Sequence, residues 1–146
     1  MKIYLASSWK NEQIIVPLAD MLREKGHEVD CFCDPSCGRF VFSFREIGNA
    51  EELNAINMLE TKQAQKAFQE DKKWIEWCDM LIMVLPCGNS AHLEAGYAKG
   101  IGKEVLIVGS FPNGQWDVMY GFADRLMKFD DFINNHYLLY RAKETQ

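Results

Sequence analysis

The chain has 146 residues, enough for one domain, and at this length roughly two thirds of the extended chain's surface is buried on folding, so a core forms without disulfides or metal. A composition of 48% hydrophobic, 12% aromatic and 25% charged residues is globular and excludes a disordered chain. A formal charge of −5 argues against a broad basic face for nucleic-acid polymers, and no apolar run approaches the roughly 18 residues of a membrane span.

The N-terminus enters Lys2-Ile3-Tyr4-Leu5-Ala6 directly. This is a β-favouring run with none of the marks of a secretory signal, so a cytoplasmic protein is expected. Ser7-Ser8 begin a turn, and Asn11 is the expected N-cap of a helix carrying Ile14, Ile15, Leu18, Met21 and Leu22 on one face. Arg23, Lys25 and Gly26 end that helix in the usual way, with a basic last turn and then glycine. Val29 to Cys33 reads as a second strand, and Asp34-Pro35-Ser36-Cys37-Gly38 breaks it. Phe40, Phe42 and Phe44 alternate in the stretch that follows, as in an edge strand or a loop folding over a ligand.

Glu51 to Trp77 is helical in character, in two pieces, and Met80 to Leu85 is the continuous apolar run of a strand buried on both faces. Ser90 is the expected cap of a helix from Ala91 to about Gly100, with Leu93, Gly96, Tyr97, Gly100 and Ile101 as its inward stripe. Glu104 to Gly109 is a fourth strand. Pro112-Asn113-Gly114 is a turn, Leu126 to Phe129 a short fifth strand, and a helix through Ile133 and Leu138 closes the chain. Strands alternating with helices predict a single α/β domain over 1–146, a parallel sheet covered on both faces. In such sheets ligands bind outside the carboxyl ends of the strands, at the topological switch point.

The five cysteines are an odd number, as expected of reduced thiols in a cytosol. Cys31, Cys33 and Cys37 lack the two-residue gaps and the fourth ligand of a structural zinc site, and Cys78 and Cys87 supply neither by spacing. Free thiols are expected. Dinucleotide and P-loop glycine fingerprints are absent as well.

Chemistry concentrates in Leu85-Pro86-Cys87-Gly88-Asn89-Ser90-Ala91-His92-Leu93-Glu94. A buried strand there runs through a glycine turn into a helix start, whose free N–H groups and dipole make an anion site, with Asn89 and Ser90 as added donors. Glu94 follows one turn in, among apolar and small neighbours. With Ser90 as N-cap it is one residue out of register for a capping box, so a partly buried carboxylate needs another reason.

Ile3-Tyr4-Leu5-Ala6-Ser7, Asp71 eight residues before Asp79-Met80-Leu81-Ile82, and Ser90-Ala91-His92-Leu93-Glu94-Ala95-Gly96-Tyr97-Ala98 resemble the nucleoside 2-deoxyribosyltransferase family, which includes the 2′-deoxynucleoside 5′-monophosphate N-hydrolases. The resemblance extends through Gly102-Lys103-Glu104-Val105 and Asp117-Val118-Met119 and covers most of the chain outside 33–60. It implies a flavodoxin-like, doubly wound fold with a mainly five-stranded parallel sheet. It also implies that Glu94 is a nucleophile forming a glycosyl intermediate, that Tyr4 orients it, and that Asp71 contacts the base and helps protonate it.

The family's transferases carry an aspartate in the loop before the nucleophile. Here that loop reads Gly88-Asn89-Ser90, which suits a 5′-phosphate, and His92 is a further candidate donor. Ser7 and Trp9 lie at the first strand's end as candidate substrate contacts. Asp117 and Met119, in the aromatic segment Gln115–Tyr120, would enter a neighbouring subunit's site in a homodimer or larger homo-oligomer, Asp117 near the sugar.

The expected function is therefore an N-glycosidase acting on a (deoxy)nucleoside 5′-monophosphate. It needs no cofactor, and its ligand is a small molecule. Base exchange by a deoxyribosyltransferase, cleavage of NAD, and a non-catalytic nucleotide sensor are the rivals.

Overall fold

The computed structural model describes residues 1–34, 39–42, 47, 49–134 and 138. Five parallel strands, β1 (Lys2–Ala6), β2 (Glu28–Cys31), β3 (Met80–Val84), β4 (Glu104–Gly109) and β5 (Arg125–Lys128), stand in the order β2-β1-β3-β4-β5. The helices are α1 (Glu12–Glu24), α2 (Ala55–Met58), α3 (Lys62–Trp77), α4 (Asn89–Gly100) and α5 (Phe129–Asn134). Strand order reverses beside β1, because the chain first crosses to β2 and then returns past β1 to β3. This is the flavodoxin-like, doubly wound arrangement, and it opens a crevice at the carboxyl ends of β1 and β3.

Side chains alternate across each strand, and the two sheet faces bury different sets. Ile3 and Leu5 of β1 join Ile82 and Val84 of β3 under α1, whose Ile15, Leu18, Ala19 and Leu22 complete that cluster with Phe132 and Leu138. Tyr4 and Ala6 point the other way, with Leu81 and Met83, against Ile75 of α3 and Ala91, Ala95 and Ala98 of α4. All five residues of β3 are buried, as expected of a central parallel strand.

Several sequence expectations are corrected. β2 ends at Cys31, where the Asp34 amide donates to the Cys31 carbonyl at 3.1 Å and turns the chain; β3 ends at Val84, and β5 begins at Arg125. A 3₁₀ turn, Trp9–Asn11, precedes α1 and is capped by the Ser8 hydroxyl; Asn11 is the N-cap residue of α1 as expected, although its side chain makes no cap bond. It donates instead to Ser7 Oγ at 3.0 Å and to the Pro86 carbonyl at 2.6 Å.

Ser90 is not the N-cap of α4; Gly88 is, and the helix starts at Asn89. The inward stripe of α4 is Ala91, Ala95 and Ala98, whereas Leu93, Tyr97 and Ile101 face outward. Small residues win the inner face because they let the helix lie close on the sheet. Phe40 and Phe42 lie in irregular chain, half-buried, and Phe44 and Cys37 lie outside the described residues. Among the described residues no helix is long and apolar enough to cross a membrane.

Candidate active site

The crevice is assembled from four elements. β1 delivers Tyr4, and β2 delivers Asp30 directly beside it in the ladder. α3 brings Asp71, and α4 brings Glu94 in its second turn. The small inner face of α4 is what lets a carboxylate approach the sheet here. Gly109 has the same role at the end of β4, where a Cβ would lie 2.9 Å from the Leu85 Cβ, so the strand end and the turn after β3 meet too closely for any side chain.

Glu94, Tyr4 and Asp71 come together in this crevice. Burial, and then the nearby charge of Asp71, push the Glu94 carboxyl up to about 8, against the pull of Arg39 and Tyr4. Burial and Glu94 in turn hold the Tyr4 phenol well above its ordinary value. Burial also raises the Asp71 carboxyl, with Arg39 working in the opposite direction. Three acidic groups in one crevice resist ionising together, the condition under which carboxyl groups take distinct roles.

Sequence reasoning missed the cation that compensates them. Arg39 lies in irregular chain after β2, with 2% of its side chain exposed. Its Nη2 donates to Asp71 Oδ1 at 2.5 Å, its Nε sits 2.9 Å from Asp30 Oδ1, and its guanidinium carbon lies 5.8 Å from the centre of the Tyr4 ring. The Nε contact is off the hydrogen-bond axis, so charge holds the pair, and among the described residues neither Asp30 oxygen has a well-aligned hydrogen-bond donor. Burial pushes the Asp30 carboxyl up to about 6 despite Arg39. A signal was present in the sequence: an aspartate between Val29 and Cys31, in a strand otherwise apolar, requires a partner.

The loop after β3 opens the amino end of α4 toward the same crevice. The N-cap Gly88 offers no side-chain acceptor, and Asn89 and Ser90 are exposed, so the first-turn amides stay available to an anion. His92 is engaged with the protein. Its Nδ1 donates to the Gly88 carbonyl at 2.8 Å, which leaves Nε2 to accept from the Tyr120 hydroxyl at 3.2 Å, and the two rings stack with centroids 5.8 Å apart.

Ser7 is likewise committed. Its hydroxyl donates to the Val84 carbonyl at 2.8 Å, latching the ends of β1 and β3 together. Trp9 is exposed and meets Phe32 edge to face at 5.3 Å. Asp117 caps the 3₁₀ turn Val118–Phe122 through the Met119 amide at 2.8 Å, and Met119 is exposed. Within one chain these two residues lie on an outer surface. Cys31 and Cys33 are buried thiols with sulfurs 3.6 Å apart, and among the described residues no group of three metal-binding side chains is assembled.

No family model matches the chain, and no curated protein sequence matches it. Its fold, however, matches solved structures. Against the CMP N-glycosidase BcmB of Clostridium botulinum it aligns over 98% of this chain and 99% of that one, at 17% identity and a TM-score of 0.57. Against a 2-deoxyribosyltransferase of Bacillus psychrosaccharolyticus it aligns over 95% and 96%, at 20% identity and a TM-score of 0.64. The chain thus carries, over nearly its whole length, the fold of enzymes of the kind its sequence motifs resemble.

Proposed function

We propose that the protein is an N-glycosidase that cleaves the base–sugar bond of a nucleoside 5′-monophosphate. The observation that carries this reading is a half-buried Glu94 carboxyl facing Tyr4 and Asp71 at the switch point of this particular fold. The Glu94 carboxylate attacks the anomeric carbon from the face opposite the base. The carbon–nitrogen bond breaks, and its electron pair leaves with the base. Water then attacks the same carbon, gives up a proton, and releases Glu94 and a sugar phosphate with configuration retained overall.

Tyr4 orients the nucleophile, and Asp71 meets the base. The uncapped start of α4, with Asn89 and Ser90, receives the phosphate. In place of an acidic side chain the loop carries neutral groups that can donate, the Asn89 amide and the Ser90 hydroxyl, which favours a monophosphate over a nucleoside with a free 5′-hydroxyl. A second copy of the chain supplies Asp117 and Met119 from its Gln115–Tyr120 segment, because the aromatic load of that segment is expensive to leave in water. The chemistry needs no metal, so a chelator leaves the rate unchanged.

The test is release of free base from a panel of ribo- and deoxyribonucleosides and their 5′-monophosphates, with and without a free acceptor base. Base and sugar phosphate in equal amounts, from monophosphates and not from nucleosides, is the expected result. Base exchange without net sugar release would instead make the protein a transferase, and release of nicotinamide from NAD would make it an NAD-cleaving enzyme.

A further inference from the structure

Arg39 fastens Asp71 to a second, buried acid. From that juxtaposition we infer that the site selects nucleobases carrying an exocyclic amino group at the edge Asp71 meets. The inference rests on the reading of Asp71 as the base-facing residue and adds the class of base.

Arg39 has almost no freedom. Its guanidinium is held by Asp30 at 2.9 Å, by the face of the Tyr4 ring, and by Asp71 Oδ1 at 2.5 Å, with 2% of the side chain exposed. A guanidinium only donates and keeps its proton in a protein, so the Asp71 oxygen it touches is fixed as an acceptor. Asp71 itself keeps 37% of its side chain exposed, which leaves further acceptor capacity open to a ligand.

A carboxylate fixed in this way asks a base for donors. An amino group and the protonated ring nitrogen beside it supply two, whereas a carbonyl base offers only its ring N–H and sets its carbonyl, acceptor against acceptor, beside the carboxylate. The ring nitrogen next to such an amino group takes a proton from solvent. Asp71 then accepts from both N–H groups and stabilises the protonated base. When the glycosidic bond breaks, its electron pair moves onto the ring and the base departs neutral. Asp71 therefore holds the proton on the leaving group rather than supplying it, and this replaces the role expected from sequence.

The experiment compares kcat/KM for CMP against UMP and for AMP against IMP, pairs that differ at this edge by amino for carbonyl. At least one pair is expected to favour the amino base by about tenfold or more. In Asp71→Asn the amide oxygen turns to Arg39 and the N–H groups to the base, so that preference falls to parity or inverts.

Removing Arg39 alone would strand Asp30, so the second variant is Asp30→Leu with Arg39→Met, which replaces the buried Asp30–Arg39 pair by apolar groups and leaves Asp71, 37% exposed, free to turn. It should cleave both members of the pair at similar rates. Parity in the wild type, or an unchanged preference in Asp71→Asn, overturns the inference. Titration of Glu94→Gln protein with cytosine, uracil, adenine and hypoxanthine separates the two readings. Amino-base preference in binding without cleavage of any nucleotide by the wild type would sink the glycosidase and keep the base class. Cleavage without preference would do the reverse.

Discussion

The two faces of the sheet are built from the same strands and do different work. Under α1, alternate strand residues meet large aliphatic side chains: Ile3, Leu5, Ile82 and Val84 against Ile15, Leu18 and Leu22. Under α4 the strands meet Ala91, Ala95 and Ala98, and the space that small residues leave is filled by a phenol, two acids on neighbouring helices, and an arginine. One face maximises apolar burial. The other gives up some of that burial to hold Tyr4, Arg39 and Asp30 out of water and Glu94 and Asp71 at the water's edge. If this division is right, substitutions on the first face change stability and spare chemistry, and substitutions on the second do the opposite.

Glu94→Gln is the largest expected effect. It preserves shape and removes the attacking oxygen, so turnover of the nucleotide substrate falls by about a thousandfold or more. Thermal unfolding at neutral pH shows no loss of stability, because the crevice already holds this carboxyl largely uncharged there and the amide is neutral at every pH. Turnover near wild type in this variant would remove Glu94 from the mechanism.

Leu22→Ala tests the opposite face. Leu22 is fully buried beneath the helix–sheet contact, and truncation there costs about 2–5 kcal/mol through lost burial and the cavity left behind. Chemical denaturation measures the loss. Turnover per folded molecule, below the unfolding transition, stays within about twofold, since no residue of the crevice touches the cavity.

Titration of Glu94 gives a third comparison. Its folded carboxyl is raised from 4.5 to about 8, so the folded state holds this proton more tightly than the unfolded chain does. The stability it contributes is complete below about pH 4.5 and is lost as pH rises toward 8. The loss is on the order of 2 kcal/mol once partial exposure is allowed for. Glu94→Gln removes this slope, so the variant becomes the more stable protein at pH 8 and above. Glu94 acts on activity with the opposite sign, because the nucleophile must ionise; this gain offsets the loss of protonated base as pH rises, so kcat/KM of the wild type holds level up to about 8 and falls above it. Parallel wild-type and Glu94→Gln stability curves between pH 5 and 9 would show that Glu94 is not held protonated.

Much of this was legible in the sequence, unevenly. The runs in β1, β3 and β4 are hydrophobic enough to read directly, and the glycine turn before α4 marks the strand-end crevice. Glu94 stood out by itself, because a carboxylate among small and apolar neighbours has few structural excuses, whereas Tyr4 and Asp71 were singled out only by the family resemblance. Arg39 and Asp30 were not found. Their pairing spans a break after β2 that no periodicity crosses, and a charge in irregular chain reads as solvated. The α4 stripe failed for a different reason. Counting large apolar residues picks the outer face of this helix, whereas close packing on the sheet selects alanine.

That misreading leads to the smallest effect on the single chain and the last prediction. Leu93, 74% exposed, shares the outer face of α4 with Tyr97 and Ile101, and Trp116, 82% exposed, lies with Val118, Met119 and Phe122 on the turn after β4. The His92–Tyr120 contact ties these two surfaces together. Neither covers the chain's own core, and apolar surface of this kind on a folded protein marks an interface. A two-fold dimer is the simplest assembly, since one patch then serves both copies. Light scattering at micromolar concentration should give twice 16.9 kDa or a larger multiple for the wild type, and Leu93→Ser with Trp116→Ala should shift it to the single-chain mass. Folding of each chain changes by no more than about 0.5 kcal/mol, because the replaced side chains are in water within one chain. Activity decides whether the site is shared. If Asp117 serves the partner's crevice, Glu94→Ala and Asp117→Ala proteins, each inactive alone, regain activity when mixed, because one of the two crevices in a mixed dimer has both residues. A fully active single chain of 16.9 kDa, or no recovery after subunit exchange, would confine the site to one chain.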